Sequence, residues 1–355
     1  MKTTSQSRGR KQASEPPPTG LAKALAEKVV GQPVSINSIV PYVQLYQAGL
    51  APEGRPIGVF LLLGPTGTGK TRTAEALAEV LHGTEKNVLR VDCGEFQMDH
   101  EVAKLIGAPP GYLGHRETHP LLTQARLASV TSEKSSLSIV LLDEIEKAAP
   151  SLNRLLLGIL DKAILRLGDN TVVNFERSLI MMTSNLGARE MAREINPTFG
   201  FEAMAPRVKK RRTKKLESVA MAAVRKKFSP EFLNRVDAIL VYEPLDTETV
   251  ATILDQQVQA LQQHVNQRLG TRTFSIEVPP ATRQFLLDKG FSDEYGAREL
   301  KRVIHRNIVQ PVASLVAEGM IDAASNVCIE VAADGEGLQF RTSRGVIMAP
   351  RAVSA

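Results

Sequence analysis

The sequence predicts an α/β fold built on a parallel sheet, followed by a smaller α+β domain. Three observations predict this arrangement. Short apolar runs alternate with helical patterns up to about residue 245, and a glycine-rich loop joins the first run to a helix. After residue 246 the pattern changes to long amphipathic helices and a hairpin. Since ligands bind at the carboxyl ends of parallel strands, the residues that follow each run are the first site candidates.

The 355 residues are enough for two domains with separate cores. We predict a basic, disordered tail over residues 1–20, a large domain over 21–245, a small domain over 246–345 and a tail over 346–355. The first tail is rich in Ser, Thr, Lys and Arg and contains three consecutive prolines, a composition that cannot bury a core.

Composition predicts a cytoplasmic protein without a membrane partner. No apolar run reaches membrane-spanning length, and the N-terminus lacks the apolar stretch of a signal peptide. The two cysteines, Cys93 and Cys328, lie far apart without metal-ligand spacing. They indicate a reducing compartment and no zinc site.

The net charge of +6 comes from two local segments. Residues 1–12 carry four positive charges and residues 207–215 carry seven, which leaves a net charge of −5 on the other residues. The run at 207–215 is interpreted as a solvated insertion loop or as a contact for acidic partners or nucleic acid. It contains no aromatic residue, so it does not favour stacking on single strands.

Five apolar runs predict the strands of the sheet, at residues 59–63, 88–92, 138–142, 179–182 and 238–242. Helices are predicted over 21–29, from residue 34 and over 152–162. In the small domain, apolar stripes predict amphipathic helices over 250–265 and 300–315, the second with a kink near Pro311. Strands are predicted there at 273–278, 327–331 and 338–341, the last two as a hairpin around Asp334-Gly335.

The glycine-rich loop matches the phosphate-binding pattern G-x-x-x-x-G-K-[ST] at every fixed position. Its residues are Gly64, Pro65, Thr66, Gly67, Thr68, Gly69, Lys70 and Thr71. Glycines let backbone N–H groups turn toward phosphate oxygens, and the following helix adds its positive dipole end. Lys70 is expected to reach the β- and γ-phosphates of ATP, and the Thr71 hydroxyl to ligate Mg²⁺.

Polar residues follow two other runs. Asp143 is expected to hold Mg²⁺ through water, and Glu144 to polarise the attacking water as general base. The alternative is that these two acids cap the next helix. Asn185 could position the same water, although taken alone it is more typical of a strand-end turn.

Seven separated segments resemble the Clp family of AAA+ ATPases, and in particular the second ATPase domain of ClpB, ClpA and ClpC. They are VVGQ at 29–32, RPIG at 55–58, LIGAPPGYLG at 105–114, LLDEIEKA at 141–148, MTSNLG at 182–187, FSPEFLNRVD at 228–237 and YGAREL at 295–300. They occur in the family's order, and the resemblance covers about residues 21–341. It implies an AAA+ phosphate-loop domain followed by a Clp-type small domain.

The resemblance also implies roles for single residues. Val30 and Gln32 would contact adenine, and Asn185 would be sensor 1. Arg235 would be an arginine finger on the γ-phosphate of a neighbouring subunit, and Arg298 would contact the nucleotide of its own subunit as sensor 2. A finger supplied in trans implies a homo-oligomeric ring, expected to be a hexamer. By spacing alone, both arginines are more typical of surface salt bridges.

The residues Gly111, Tyr112, Leu113 and Gly114 resemble the family's substrate-gripping pore loop. An aromatic side chain in a glycine-flanked loop can grip an extended polypeptide without reading its sequence. The alternative is that Tyr112 anchors a surface loop. The implied partners are unfolded or misfolded polypeptides.

The chain departs from the family in two respects. It is expected to be a stand-alone, single-ring member, because another ATPase domain, a middle domain and the zinc module of ClpX do not fit its length and two cysteines. In addition, Phe199, Gly200 and Phe201 resemble only loosely the tripeptide that docks on a ClpP-like peptidase. They are interpreted as that docking element or as a buried loop anchor.

The sequence therefore predicts an ATP-dependent protein unfoldase or remodelling chaperone that works as a ring with ATP and Mg²⁺. The alternative from another class is a nucleic-acid remodeller of the helicase-loader type, which the two basic runs favour. The pore-loop resemblance at 111–114 argues against it, and nucleic acid is not expected as a partner. A non-catalytic, ATP-switched scaffold is disfavoured by Glu144, Asn185 and Arg235.

Overall fold

Helices and strands alternate through the first part of the chain, as the apolar pattern predicts. The computed structural model describes residues 20–107, 120–195, 206–290, 296–342 and 345–348. Its helices are α1 (Gly20–Lys28), α2 (Pro33–Gln47), α3 (Lys70–His82), α4 (Ala103–Ile106), α5 (Gln124–Ser129), α6 (Pro150–Lys162), α7 (Ala188–Ile195), α8 (Pro206–Lys227), α9 (Pro230–Leu233), α10 (Thr247–Leu269), α11 (Pro280–Gly290), α12 (Ala297–Ile304) and α13 (Gln310–Ala317). Its strands are β1 (Gly58–Leu63), β2 (Leu89–Asp92), β3 (Ser138–Asp143), β4 (Ile164–Arg166), β5 (Val172–Asn174), β6 (Ser178–Ser184), β7 (Ala238–Val241), β8 (Ser275–Glu277), β9 (Asn326–Val331), β10 (Leu338–Thr342) and β11 (Gly345–Met348).

The central sheet has five parallel strands in the order β2-β3-β6-β1-β7. All five predicted runs are confirmed as its strands. Every residue of β1, β3 and β6 is buried, which explains why these three strands read as continuous apolar runs. The carboxyl ends of these three strands lie side by side in the middle of the sheet.

Alternate residues of the strands pack into two different cores, one on each face of the sheet. On β1, Val59 and Leu61 belong to the core that includes residues of α6 and α8, whereas Phe60 and Leu62 belong to the core that includes residues of α1, α2 and α3. On this second face, Ile139 and Leu141 of β3 lie beside Leu179 and Met181 of β6. The face packed on α1 to α3 is called the α3 face below.

The C-terminal part of the structure has its own core and its own sheet. Residues of α10 to α13 pack on a four-stranded sheet ordered β11-β10-β9-β8. The hairpin of β9 and β10 is confirmed, and β8 joins it in parallel. The predicted tail is wrong at its start, because residues 346–348 pair with β10 as part of β11. The helix predicted over 300–315 is divided into α12 and α13 by a π-helical turn, His305–Val309, just before Pro311.

The interpretation of residues 207–215 as an insertion loop is wrong, because they belong to helix α8. Lys and Arg are good helix formers, and Leu216, Ala220 and Val224 bury one side of the same helix in the core. The hairpin of β4 and β5 was not predicted, since each strand has only three residues. Within the described ranges, no helix is both long and apolar enough to span a membrane.

Candidate active site

A cavity of about 630 Å³ opens at the carboxyl ends of β1, β3 and β6, where α10 and α12 also reach it. Eleven of the predicted site residues line it: Val30, Thr66, Gly67, Thr68, Gly69, Lys70, Thr71, Asp143, Glu144, Asn185 and Arg298. Gln32, Gly64, Pro65 and Arg235 do not line it. The tertiary structure therefore brings together residues that are up to 268 positions apart in the sequence.

The loop after β1 has a backbone that requires glycine. Gly64, Gly67 and Gly69 have φ angles of 144°, 79° and 102°, a region that L side chains rarely adopt. A Cβ atom on Gly64 would lie 2.6 Å from the carbonyl oxygen of Tyr242. The loop is thus packed tightly against the residue that follows β7, and α3 begins directly after it at Lys70.

Gln32 contacts the glycine-rich loop on the side away from the cavity, although it was predicted to contact adenine. Its buried side-chain amide donates to the carbonyl oxygens of Thr68, at 3.2 Å, and Glu243, at 2.9 Å. The backbone N–H of Glu243 donates back to the Gln32 side chain at 3.3 Å. Gln32 therefore ties the glycine-rich loop to the end of β7, whereas Val30 is the neighbour that faces the cavity.

Lys70 lies buried at the floor of the cavity with three acceptors around its ammonium group. Nζ donates to the carbonyl oxygens of Gly64, at 2.6 Å, and Pro65, at 2.7 Å, and to Oδ1 of Asn185, at 2.9 Å. Burial lowers the pKa of Lys70 to about 8, partly offset by the nearby carboxylate of Glu146. The group is therefore a cation held in place by the protein, in a position to meet an anion.

Asp143 ends β3 with both carboxylate oxygens engaged. The Thr183 hydroxyl on β6 donates to Oδ1, and the Arg90 guanidinium on β2 pairs with Oδ2. The Thr183 hydroxyl also accepts from the backbone N–H of Glu144 at 3.0 Å. These contacts fix the orientation of a carboxylate that is almost fully buried.

Glu144 turns out of the strand with a φ angle of 54°, which points it along a different direction from Asp143. Its carboxylate forms an ion pair with Lys147 at 2.5 Å and raises the pKa of that lysine. The Asn185 side chain donates to Oε1 of Glu144 at 3.4 Å, while its own oxygen accepts from Lys70. Asn185 therefore bridges the Lys70 ammonium group and the Glu144 carboxylate that follows β3.

Four contributors to this site were missed by sequence reasoning: Arg90, Thr183, Glu146 and Lys147. Glu146 accepts from the backbone N–H of Asn185 at 3.0 Å, so it holds the turn after β6. Arg90 and Thr183 occupy alternating strand positions on the same face as Asp143. Period-two alternation along the runs at 88–92 and 179–184 is the signal that could have identified both.

The first turn of α12 closes the cavity from the small domain. Gly296, with a φ angle of 52°, lies so close to the loop that a Cβ would be 3.0 Å from the carbonyl oxygen of Thr66. The backbone N–H of Ala297 donates to the carbonyl oxygen of Gly67 at 3.2 Å. Arg298 follows, exposed at the cavity wall, and its positive charge contributes to lowering the pKa of Lys70.

Arg235 lies outside this cavity, in a cluster of its own. Its guanidinium donates to the carbonyl oxygen of Glu231 at 2.9 Å and forms ion pairs with the Glu231 carboxylate, at 3.2 Å, and Asp161, at 3.7 Å. The structure therefore separates two arginines, Arg235 and Arg298, that were predicted to act on nucleotide. The predicted pore-loop residues Gly111, Tyr112, Leu113 and Gly114, and the docking residues Phe199, Gly200 and Phe201, lie outside the described residues.

The residues of the cavity fit ATP and Mg²⁺. The cavity volume lies within the range of small-molecule sites. The glycine-rich backbone, the N-terminus of α3 and the Lys70 ammonium group suit phosphate oxygens. The Thr71 hydroxyl and the Asp143 carboxylate offer the oxygen ligands that Mg²⁺ prefers.

Comparison with known proteins gives matches over most of the chain. Residues 55–239 match the AAA domain (Cdc48 subfamily), and residues 245–329 match the C-terminal, D2-small domain of ClpB protein. The chaperone protein ClpB of Meiothermus ruber is 37% identical over 320 residues, which are 90% of this chain and 34% of that protein. ClpB of Rhodopseudomonas palustris is 38% identical over 320 residues, 90% of this chain and 33% of that protein. The chain spans about a third of the length of these relatives.

Solved structures give the same result for the fold. A cryo-EM reconstruction of Hsp104 with ATPγS and FITC casein in a closed state aligns with a TM-score of 0.73 and 28% identity, over 91% of this chain and 51% of that one. The Hsp104:casein complex of S. cerevisiae in an extended conformation aligns with a TM-score of 0.74 and 28% identity, over 90% of this chain and 51% of that one.

Proposed function

Because the chain belongs to the AAA domain family and carries a small domain of the ClpB type, we propose that it hydrolyses ATP to remodel or unfold polypeptides. One observation carries the proposal. The Asn185 side chain links the loop cation, Lys70, to the carboxylate of Glu144 at the ends of adjacent parallel strands. A cation suited to phosphate and a candidate general base are thereby linked through one side chain, an arrangement that suits hydrolysis of the phosphoanhydride bond of ATP.

Binding of ATP uses groups that are already oriented. The glycine-rich loop and the first turn of α3 present backbone N–H groups to the phosphates, and Lys70 exchanges its carbonyl acceptors for phosphate oxygens. Thr71 and Asp143 would hold Mg²⁺, which neutralises phosphate charge when bound. Val30 and α10, which line the cavity, would border the adenosine.

Hydrolysis then depends on Glu144. We assign its carboxylate as the base that accepts a proton from the attacking water, and Asn185 as the residue that positions it. The ion pair with Lys147 at 2.5 Å occupies one oxygen of the Glu144 carboxylate. Turnover therefore requires the carboxylate to turn from Lys147 toward the γ-phosphate.

Arg235 is assigned as the residue that completes the site of a neighbouring subunit. Its absence from the cavity of its own chain, and its support by Glu231 and Asp161, favour action in trans. On this proposal the active form is a homo-oligomeric ring, expected to be a hexamer, with Tyr112 of each subunit gripping polypeptide. Docking of a ClpP-like peptidase through residues 199–201 remains a prediction.

The first experiment measures ATPase activity with and without casein as an unfolded model protein. Wild type is expected to hydrolyse ATP and to be stimulated by casein, Glu144→Gln to bind ATP without hydrolysing it, and Tyr112→Ala to keep basal activity without stimulation. Unchanged activity in Glu144→Gln would contradict the ATPase assignment. Basal activity that ignores casein but responds to DNA, with strong salt dependence, would favour the nucleic-acid alternative.

A mixing experiment tests the trans assignment of Arg235. Glu144→Gln and Arg235→Ala are each expected to be inactive alone, because one lacks the base and the other the finger. In mixed rings, an Arg235→Ala subunit keeps its base and can receive the finger of a Glu144→Gln neighbour, so activity should return in part. Mixtures as inactive as the separate variants would place Arg235 in its own subunit's chemistry or outside the reaction.

A further inference from the structure

The carboxylate of Asp143, which is expected to hold Mg²⁺, pairs in this structure with an arginine that the reaction described above does not use. Arg90, on β2, pairs with its Oδ2, while the Thr183 hydroxyl takes Oδ1. The Asp143 side chain is 11% exposed and the Arg90 side chain 53% exposed. The acid is therefore buried and fixed, whereas the arginine has solvent on one side and room to move.

The alternation of side chains along the strands explains why Arg90 and Asp143 meet on one face of the sheet. In the sheet, Arg90 lies beside Leu141 on the adjacent strand β3, and both residues are on the α3 face. Asp143 is two residues beyond Leu141, so it emerges on that same face. Leu89 and Val91, the neighbours of Arg90, point instead into the opposite core. Arg90 and Asp92 are thus the β2 residues on the α3 face, and of these two Arg90 lines the same cavity as Thr71 and Asp143.

A buried carboxylate without a partner is costly, so an empty site benefits from a cation at Asp143. The same carboxylate is expected to hold Mg²⁺ through water. Since its single negative charge would then be shared between the guanidinium and the metal ion, each cation should weaken the binding of the other.

We propose that Arg90 is a resident counter-ion that neutralises Asp143 when the site is empty and competes with Mg²⁺ for it when nucleotide binds. The proposal rests on the proposed nucleotide site and adds a positioning residue to it. Its consequence is that Arg90 weakens Mg²⁺ binding while stabilising the nucleotide-free protein.

The test is a Mg²⁺ titration of the binding of a fluorescent ADP analogue, followed by anisotropy with no hydrolysis involved. Arg90→Gln is expected to lower the Mg²⁺ midpoint about 3- to 5-fold, near the upper end of the range for a partly exposed ion pair. Arg90→Lys keeps a cation and should give a midpoint between the two. In the background of Asp143→Asn, Arg90→Gln should change the midpoint by less than about twofold, because the shared carboxylate charge is gone.

Arg72→Gln is the matched control, because Arg72 lines the same cavity but pairs with Glu79 at 3.1 Å and Glu85 at 2.7 Å. Its Mg²⁺ midpoint should stay within about twofold of wild type, since exposed charges act weakly at a distance. Without nucleotide, Arg90→Gln should unfold at a lower temperature than wild type.

Three results would overturn the proposal. One is a Mg²⁺ midpoint that is unchanged in Arg90→Gln, and another is a raised midpoint, which would make Arg90 a direct phosphate ligand. The third is a Mg²⁺ midpoint that shifts equally in Arg72→Gln, which would show that the shift follows the net charge of the cavity and not the Arg90–Asp143 pair. Wild type that binds the ADP analogue in a Mg²⁺-dependent way supports the nucleotide site whatever Arg90 does. Wild type that binds none contradicts both the site and this competition.

Discussion

The two walls of the cavity are built with very different numbers of contacts. On the sheet wall, Lys70, Asp143 and Asn185 each make two or more hydrogen bonds or ion pairs with residues at or near the strand ends. Among the described residues, the first turn of α12 meets the loop through one backbone hydrogen bond, from Ala297 to Gly67, and one close approach at Gly296. Each key residue of the sheet wall is therefore fixed by several contacts, whereas the α12 wall meets the loop through one turn of helix.

This difference in contacts matches the roles expected of the two walls: the sheet wall carries the reacting groups, and the α12 wall responds to the bound nucleotide. Groups that bind phosphate and activate water need fixed positions, and parallel strands within two cores supply them. A wall that touches the glycine-rich loop through one turn of helix can shift when phosphate occupies that loop. We therefore expect substitutions on the sheet wall to abolish binding and those on the α12 wall to weaken it.

The largest effect is expected for Lys70→Ala, which removes the buried cation of the sheet wall. Affinity for ADP should fall about 100-fold or more, since a charge-assisted hydrogen bond contributes about 1.5–3 kcal/mol and the ammonium group makes several. Lys28→Ala is the control, because Lys28 lines the cavity but pairs with Glu79 at 2.7 Å. ADP affinity is measured by calorimetry. Equal losses of affinity in the two variants would contradict the expectation that the buried Lys70 dominates phosphate binding.

Gly296→Ala tests the close approach of the α12 wall to the glycine-rich loop. A Cβ there would lie 3.0 Å from the carbonyl oxygen of Thr66 and 3.1 Å from that of Gly67, so the helix must move away from the loop. ADP affinity should fall about tenfold, for a local cost of about 1–2 kcal/mol. Gly270→Ala is the matched control, with a φ angle of 54° against 52° and nothing within 4 Å of its added Cβ.

Both glycine variants should unfold at similarly lowered temperatures, since both carry the same backbone strain. Only Gly296→Ala should also lose nucleotide affinity. If Gly270→Ala loses affinity to the same extent, the effect of Gly296 is one of general stability and not of contact with the loop.

Arg298→Ala should weaken ATP binding by about fivefold, because an exposed guanidinium beside a phosphate gains less than a buried cation. Arg302→Ala is its control one turn further along α12, where Arg302 pairs with Glu299 at 3.3 Å and does not line the cavity. A loss in Arg298→Ala as large as that in Lys70→Ala would contradict the ranking of the two walls.

Titration of Lys70 should change ADP affinity least near neutral pH and progressively more above pH 8. Its pKa of about 8 in the nucleotide-free protein is lowered by burial, so the ammonium form is lost as the pH rises through 8. Phosphate binding favours the charged form, and ADP affinity should therefore fall above pH 8, by up to about tenfold per pH unit. Lys70→Arg keeps its charge over this range and should show a flatter profile, measured between pH 7 and 9.5.

Much of this arrangement could be predicted from the sequence because its signals are local. The runs at 59–63, 138–142 and 179–182 are apolar throughout since each strand is covered on both faces, and that pattern identified three central strands. The glycines at 64, 67 and 69 are required by positive φ angles, so their spacing marked the loop. Thr71, Asp143, Glu144 and Asn185 then followed from being next to these runs.

Other features depend on register and packing, which no local pattern encodes. Gln32 supports the loop because α2 and β7 bring it behind Thr68, although its segment suggested a contact with adenine. Arg90 faces Asp143 because β2 pairs with β3 in one particular register. The basic run at 207–215 is helical because Leu216, Ala220 and Val224 anchor the helix that contains it.

By itself, the sequence determined the sheet, the glycine-rich loop and the residues at the strand ends, since these depend on short-range periodicity and backbone geometry. Tertiary structure alone decided which side chains meet. It put Arg298 at the cavity and Arg235 outside it, and it gave Asp143 a cationic partner 53 residues away. The physical reason is that burial, hydrogen-bond partners and charge pairing are set by the packing of elements distant in the chain, and those contacts control how each group can react.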